Sequence, residues 1–406
     1  MIPSARNAFN EGFTEEKYQA FLRALNHVHP SAVDFRVAET PVFVPHAFLQ
    51  EMQEACDYIL DLIADPAFKE RTAASIPPGQ WTPGEQAYPH FLSFDFGVCL
   101  GESGQPEPRL IELQAFPTLF SFQVLLPETY RAHFPIPHDY TYLLGGYDKR
   151  GYIDLLHRII VGDAAKEEVI LLEVKPHEQK TRIDFYLTED YLGIRPVCIT
   201  ELIPEGRELF YFRDGRKTRV RRIYNRIIVD DLIAQRDILG PVIDLTKDWD
   251  VEWISHPNWF YRVSKFLLPM LHHPAVPPTY YVQDLKEFPP DLDRYVLKPL
   301  FSFAGQGVIL DVRPRDLEDL PDPENWILQR KVSYADIIRT PDGPAKCEIR
   351  LMYFWEQGAA RPVPANNLAR LSKGKMIGTR YNKDKTWVGG SACFFEPGSK
   401  SPGGIS

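Results

Sequence analysis

The stretch RYVLKPLFSFAGQGVILDV, from Arg294 to Val312, carries the strongest indication of the fold. It predicts a strand that ends at Lys298-Pro299, a loop with Gly305 and Gly307, and a second strand that follows at once. This order excludes a Rossmann or Walker phosphate site, because both run from a strand into a helix. A lysine at a strand end supplies positive charge, and glycines allow backbone N–H groups to approach a triphosphate. The alternative is a hairpin whose glycines serve turn geometry alone.

Three further basic or polar positions accompany this stretch. Lys265 lies 33 residues before Lys298, and the apolar strand WILQR, which carries Gln329, follows it. Farther along, VPANNLARLSKGKMIG places Arg370 on another predicted strand. Two lysines, a glycine-rich loop and a strand that ends in a linker therefore occur in one order along the chain.

An early hairpin supplies acidic residues. The segments Phe91–Leu100 and Arg109–Gln114 read as two strands joined by a Gly/Ser/Pro turn, with Asp95 on the first and Glu112 on the second. Residues two apart on a strand face the same side, so Glu112 and Gln114 can act together with Asp95 across the hairpin. Carboxylate and amide oxygens are ligands that Mg²⁺ accepts.

These motifs, in this order, resemble the circularly permuted ATP-grasp superfamily, of which the glutathionylspermidine synthetases are the best-known members. Their R-x-D-F and E-x-N patterns are echoed by SFDF and ELQAFPT. The resemblance runs from about Phe91 to Glu396. It implies ATP and Mg²⁺ as cofactors, with the following roles: phosphate binding by Lys265 and Lys298, a lid with Gly305 and Gly307, adenine and ribose contacts at Gln329, Lys331 and Asp336, Mg²⁺ on Asp95, Glu112 and Gln114, and Arg370 on the transferring phosphoryl group.

Two positions depart from the family pattern. Ser93 stands where relatives have arginine, so one phosphate contact is absent or comes from another residue, such as Arg350 or Arg380. Gln114 stands where relatives have asparagine, which keeps the amide oxygen on a longer side chain. Glu348 and Arg350, two apart in CEIRLMYF, are either active-site groups or a salt bridge on a strand face. The sequence favours the salt bridge or a supporting role.

The expected fold class is α/β (α+β): an ATP-grasp fold in circularly permuted order with a small β-α-β domain of the pre-ATP-grasp type and an N-terminal helical region. Amphipathic periodicity predicts helices over Glu15–Val28 and Pro45–Ile63. The predicted organisation is N-terminal helices with the metal-ligand hairpin (91–114) in 1–150, the small domain in 151–265, the ATP-binding part in 266–396 and a flexible tail in 397–406.

Three shorter predictions complete the chain. A β-α-β unit spans Glu167 to Thr200, and a hairpin from Leu209 to Ile228 turns at Asp214-Gly215. HPNWFYRVSKFLLPMLHH, which ends before Pro274, reads as one helix. Arg226 is the preferred basic contact to substrate, and an ordinary surface ion pair is the equal alternative.

Composition limits the partners. The 46 Lys and Arg residues against 55 Asp and Glu leave a net charge of -9, which gives no general attraction to nucleic acid or to an anionic membrane. The apolar runs are far shorter than the roughly 20 residues that span a bilayer. The first residues lack the apolar core of a signal peptide, and the five cysteines form no CxxC motif. A cytoplasmic protein is expected.

The implied function is a ligase that joins a small carboxylate to an amine. A substrate carboxylate attacks the γ-phosphate of ATP, and an amine displaces phosphate from the acyl phosphate. A kinase acting on a small acceptor shares every phosphate contact, and a nucleotide-binding protein without catalysis is favoured by Ser93 and Gln114. The sequence leaves the substrates and the oligomeric state open.

Overall fold

The computed structural model describes residues 1–301, 306–375, 377 and 382–398. The predictions for Gly305, for Arg380 and for most of the tail concern residues outside this set.

Ten α-helices lie in the described part of the chain: α1 (Pro3–Gly12), α2 (Glu15–Val28), α3 (His46–Ala64), α4 (Phe68–Arg71), α5 (Phe122–His133), α6 (Lys149–Ile160), α7 (Arg182–Leu192), α8 (Val229–Leu239), α9 (Pro257–Arg262) and α10 (Pro314–Glu318). None of these helices is long and apolar enough to cross a membrane.

The strands of the described residues are β1 (Val42–Val44), β2 (Phe91–Leu100), β3 (Pro106–Gln114), β4 (Val169–Glu173), β5 (Arg195–Cys198), β6 (Ile203–Glu205), β7 (Glu208–Arg213), β8 (Arg216–Val220), β9 (Arg222–Asn225), β10 (Glu252–Ile254), β11 (Thr279–Tyr281), β12 (Tyr295–Pro299), β13 (Trp326–Arg330), β14 (Lys346–Phe354), β15 (Val363–Ser372), β16 (Gly389–Ser391) and β17 (Cys393–Phe395). The prediction of a mixed helix and sheet protein is confirmed.

The largest sheet joins distant parts of the sequence. Its five antiparallel strands follow the order β16-β15-β14-β2-β3, so the early hairpin pairs with late strands. β2 is buried on both faces along nearly its whole length, as its apolar sequence requires of a central strand. The register sets Asp95 beside Glu112 on one side and beside Arg350 on the other. The predicted hairpin is confirmed, although β3 begins earlier, at Pro106.

A smaller antiparallel sheet has the order β11-β13-β12 and carries Lys298 and Gln329. The second strand predicted after Gly307 is wrong. Only Ile309 pairs with the outer edge of β12, through an isolated bridge to Leu297. The chain soon enters α10 at Pro314, which has no N–H to donate to a ladder.

A parallel sheet of order β10-β9-β4-β5 contains the predicted β-α-β unit, which β4, α7 and β5 confirm. The hairpin turn at Asp214-Gly215 is also confirmed, between β7 and β8. The predicted second arm is wrong beyond Val220, because the chain changes sheets there. The N–H of Arg221 donates to the carbonyl of Glu168, and β9 continues between β10 and β4.

The helix predicted up to His273 is interrupted. α9 ends at Arg262, and a separate 3₁₀ turn covers Lys265–Met270. The hydroxyl of Ser264 accepts a hydrogen bond from the N–H of Phe266 and starts this second element. The helices predicted near Glu15 and Pro45 are confirmed as α2 and α3, whereas the sequence patterns do not predict α1, α4, α5, α6, α8 or α10.

Candidate functional site

Lys298 joins the small sheet to the large one. Its Nζ donates to Oε1 of Gln329 at 2.5 Å and to the carbonyl oxygen of Ile111, on β3, at 3.3 Å. Burial lowers the pKa of Lys298 to about 8; Glu112 opposes the shift and Lys265 adds to it. The predicted Lys298 and Gln329 therefore lie together, against the predicted metal-ligand hairpin.

Lys265 approaches the same hairpin. Its side chain is buried, with Nζ 3.6 Å from Oε1 of Glu112 and 3.4 Å from the carbonyl oxygen of Leu300. The interruption after α9 places this lysine at the start of the 3₁₀ turn, three residues beyond the end of the helix. The two predicted phosphate-binding lysines thus converge on Glu112.

Asp95 is the centre of a buried ionic network. Its carboxylate is 1% exposed and accepts from Arg350 Nε at 2.6 Å and Nη2 at 2.7 Å. Arg370 Nη2 donates to the second oxygen at 2.6 Å. Burial opposes ionisation of Asp95, but the two arginines outweigh it and lower its pKa. Three charge-assisted hydrogen bonds therefore hold this side chain in one orientation.

Glu348 extends the network on the neighbouring strand. It pairs with Arg370, its cross-strand neighbour, and accepts from the hydroxyl of Tyr334 at 3.1 Å. Burial is the largest influence on Glu348 and raises its pKa, an effect that Asp95 strengthens and Arg370 opposes. A side chain at Gly97 would leave no room for Tyr334, because a Cβ there would lie 2.8 Å from the tyrosine Cε1.

This chain has Ser93 where the predicted pattern has an arginine, and Arg350 brings a guanidinium close to that position, because it lies opposite Asp95 on the neighbouring strand. Besides Asp95, it contacts Gln114, whose amide oxygen accepts from Nη2 at 2.6 Å and from Nη1 at 3.1 Å when it faces the guanidinium. Ser93 is fully buried, and its hydroxyl has no hydrogen-bond partner within the described residues. Arg350 thus supplies a guanidinium beside the hairpin from the adjacent strand β14.

The predicted Mg²⁺ ligands have the required donor types. Asp95 and Glu112 are cross-strand neighbours, and Gln114 lies two residues beyond Glu112. In the described part of the chain, no three His, Cys, Asp or Glu side chains are grouped so as to hold a metal. The predicted ligand set consists of two carboxylates and one amide, whose oxygen atoms are donors that Mg²⁺ accepts. Asp95 accepts three hydrogen bonds from Arg350 and Arg370, so the ion would compete with these arginines for the same carboxylate.

The other predicted nucleotide contacts lie outside this cluster. Lys331 Nζ donates to the carbonyl oxygen of Asp293 at 2.6 Å, and Asp336 is exposed. Gly307 has a φ of 74°, and a Cβ there would lie 3.0 Å from Cγ of Pro299. The turn itself therefore requires a glycine at position 307.

Arg226 supports a loop. It is buried, and its Nη1 donates to the carbonyl oxygen of Pro117 at 2.6 Å. In the same loop, the carboxylate of Asp184 accepts hydrogen bonds from the N–H groups of Leu119, Ser121 and Phe122 at 2.8–3.0 Å. The segment that follows the Gln114 strand is thereby fixed at the edge of a cavity.

This cavity adjoins the arginines, on the side of β15 and β16. Its volume is about 510 Å³, and Arg350, Arg370 and the loop residues Thr118 and Leu119 are among its lining. Sequence reasoning did not identify it. The ELQAFPT echo pointed to this loop, but the other walls come from distant segments.

No protein-family model matches the chain, and no curated protein matches it. Among solved structures, the chain is similar to a glutathione synthetase-like effector (GSS30) from Globodera pallida, determined in its apo form. The TM-score is 0.56 at 11% sequence identity, over 95% of this chain and 98% of the other. This likeness shows a glutathione synthetase-like fold.

Proposed function

We propose that the protein is an ATP- and Mg²⁺-dependent ligase that joins a carboxylate to an amine through an acyl phosphate. The observation that carries this proposal is that four cationic side chains contact the hairpin β2-β3. On β3, Lys265 contacts Glu112 and Lys298 contacts the carbonyl oxygen of Ile111, and on β2 Arg350 and Arg370 contact Asp95, which lies beside Glu112. Cations grouped in this way suit a polyphosphate and the charge that moves during phosphoryl transfer.

The proposal includes the circularly permuted order. The hairpin β2-β3, which carries the proposed metal ligands, precedes the lysine-bearing segments in the chain, yet it pairs with β14 beside the Arg370 strand. This pairing is what a permutation of ATP-grasp segments would produce. The division of the chain at 150, 265 and 396 belongs to the same proposal.

Each group has a positional role in the proposed reaction. Lys265 and Lys298 bind the phosphates of ATP, and Arg350 and Arg370 orient the acceptor carboxylate toward the γ-phosphorus. One carboxylate oxygen forms the new P–O bond as the bond to ADP breaks. The amine nitrogen then attacks the acyl carbon and loses a proton to solvent, and phosphate leaves with its electron pair. When bound on Asp95, Glu112 and Gln114, Mg²⁺ would neutralise phosphate charge.

A second candidate is a nucleotide-binding protein without turnover. It is favoured by Asp95, whose two oxygens are both engaged by arginines, and by Gln114, whose oxygen can face Arg350. In that case the arginines would retain their contacts when nucleotide binds.

The decisive experiment combines binding with product analysis. Thermal stability is measured with ATP, with and without Mg²⁺, for the wild type, Lys298→Ala and the exposed control Lys286→Ala. A ligand of the folded state at a hundredfold excess over Kd adds about 2.7 kcal/mol. We expect this shift in the wild type and the control, and its loss in Lys298→Ala. No shift in any variant would exclude nucleotide binding at this site.

ADP release then separates the functions. Release that needs both a carboxylate and an amine indicates the ligase, and release with an acceptor alone indicates a kinase. Nucleotide binding without release across panels of carboxylates and amines would favour the second candidate.

A further inference from the structure

The cavity beside Arg350 and Arg370 has mostly apolar walls. Its volume of about 510 Å³ lies within the range of small-molecule pockets, roughly 300–1,000 Å³. Side chains from several separate segments form these walls, among them Phe35, Leu119, Leu368, Ile377 and Val388. The backbones of Gly389 and Gly390 close one side. Such walls favour an apolar ligand body.

Polar donors are concentrated at the arginine end. Nε of Arg370 and Oγ1 of Thr118 are both shielded from solvent, and neither has a hydrogen-bond partner within the described residues. Buried donors of this kind are usually satisfied. Both residues line the cavity, so a side-chain rotation that turns these atoms toward a bound acceptor would give each of them a partner.

The loop that presents Thr118 is strained and firmly held. Leu119 has a φ of 73°, a left-handed conformation that is unfavourable for a branched side chain. The carboxylate of Asp184 and the guanidinium of Arg226 maintain it through the loop's backbone groups. Local strain that is maintained by surrounding contacts is a recurrent feature of ligand sites.

The charged residues that line the cavity in the described part of the chain are all basic. No aspartate or glutamate is among the described residues that line the cavity, whereas Arg36, Arg350, Arg370 and Lys383 are. The nearby acids, Asp95 and Glu348, are already paired with the arginines. An α-ammonium group would therefore leave water for a mostly apolar cavity and find no carboxylate among the described lining residues to pair with.

We infer that this cavity binds the acceptor and that the acceptor is an apolar carboxylate without a neighbouring ammonium group. The inference rests on the proposed function for its place in the reaction, but binding itself requires no ATP. The carboxylate lies at Arg370 and Thr118, and the apolar body lies among the aliphatic and aromatic walls. This distinguishes the protein from a ligase whose acceptor is an amino acid or a polar peptide.

The test uses three probes that share the same apolar body and differ in their polar groups: 3-phenylpropionate, its uncharged amide and L-phenylalanine. Calorimetric titration without nucleotide should give 3-phenylpropionate an affinity at least about tenfold higher than either of the others, since the amide lacks the charge and the amino acid adds an ammonium. Octanoate serves as a second probe, with a linear body. Absence of binding by both carboxylates would overturn the inference, as would equal or tighter binding of phenylalanine.

A substitution tests whether the carboxylate binds in this cavity. Thr118→Val keeps the side-chain shape and removes the buried hydroxyl, and Thr218→Val, on β8, is the matched control. We expect Thr118→Val to weaken carboxylate binding about tenfold, as the loss of a hydrogen bond to a charged group does, and the control to leave it unchanged. Equal affinities in the two variants would show that the carboxylate binds elsewhere. Carboxylate binding without any ATP turnover would leave this inference standing and count against the ligase alone.

Discussion

The substitution Asp95→Asn tests the ionic network at the centre of the site. It preserves the size of the side chain and removes its charge, so Arg350 and Arg370 lose the carboxylate that both contact. The side chain of Arg370 is 36% exposed and retains Glu348, whereas that of Arg350 is only 9% exposed. The loss of the carboxylate therefore destabilises mainly Arg350, because its buried guanidinium is poorly hydrated.

The expected loss is about 3 kcal/mol of unfolding free energy. Removal of one partner from a buried ion pair typically costs about 3–5 kcal/mol, and the retained amide oxygen of asparagine keeps part of the bonding. At about 2 °C per kcal/mol, the figure for large domains, the melting temperature should fall by about 6 °C. Because the arginines lower the pKa of Asp95 against the opposing effect of burial, its contribution is present above the unfolded pKa. The difference between variant and wild type should therefore shrink as the pH falls through the folded value.

The assay is urea denaturation and thermal melting of both proteins, with Glu356→Gln as the control. Glu356 accepts from Arg158 at 2.7 and 3.3 Å, in a similar two-point geometry, but the two side chains are 38% and 49% exposed. Such an exposed pair contributes at most about 1 kcal/mol. If Asp95→Asn destabilises no more than this control, the network does not stabilise the fold and the reasoning fails.

Two further predictions concern single positions. The pKa of Lys298 is lowered to about 8, so the free lysine loses its charge between pH 7 and pH 9. If bound phosphate keeps the lysine charged, ATP affinity should fall about tenfold over this range. Lys298→Arg, which stays charged, should show the same ATP affinity in titrations at pH 7 and pH 9. Gly389→Ala should cost at least about 2 kcal/mol in urea denaturation, because φ is 126° and a Cβ would lie 2.5 Å from the carbonyl oxygen of Arg36. Gly390→Ala, whose nearest contact would be 3.7 Å, should be close to neutral.

Much of the scaffold follows from local patterns. The hairpin of β2 and β3, the unit β4-α7-β5 and the helices α2 and α3 were predictable because their periodicity and turn residues are contained within short segments. The two errors in long elements have a different origin. A strand that changes sheets at Arg221 and a helix that restarts at Ser264 are decided by partners elsewhere in the fold.

The candidate site was predictable in its residue types and less so in its connections. Lys265, Lys298, Asp95 and Arg370 follow a recognisable order, but no sequence feature shows that β14 pairs with β2. That pairing places Arg350 beside Asp95. Glu348 and Arg350, for which the sequence favours a salt bridge on a strand face, are therefore both members of the buried ionic network. The cavity was unpredictable for the same reason, because its walls come from segments that only the tertiary fold brings together.

The network also distinguishes the two proposed functions. A metal on Asp95 would compete with Arg350 and Arg370 for that carboxylate, and an anionic ligand that accepts their hydrogen bonds, such as the acceptor carboxylate or a triphosphate, favours the exchange. In a ligase, Asp95→Asn should therefore reduce the Mg²⁺-dependent part of ATP affinity and spare the metal-free part. In a binder without turnover, the arginines stay on Asp95, so the substitution should change ATP affinity equally with and without Mg²⁺. Because two sites that share one element are coupled reciprocally, the ATP dependence of Mg²⁺ affinity should give the same answer.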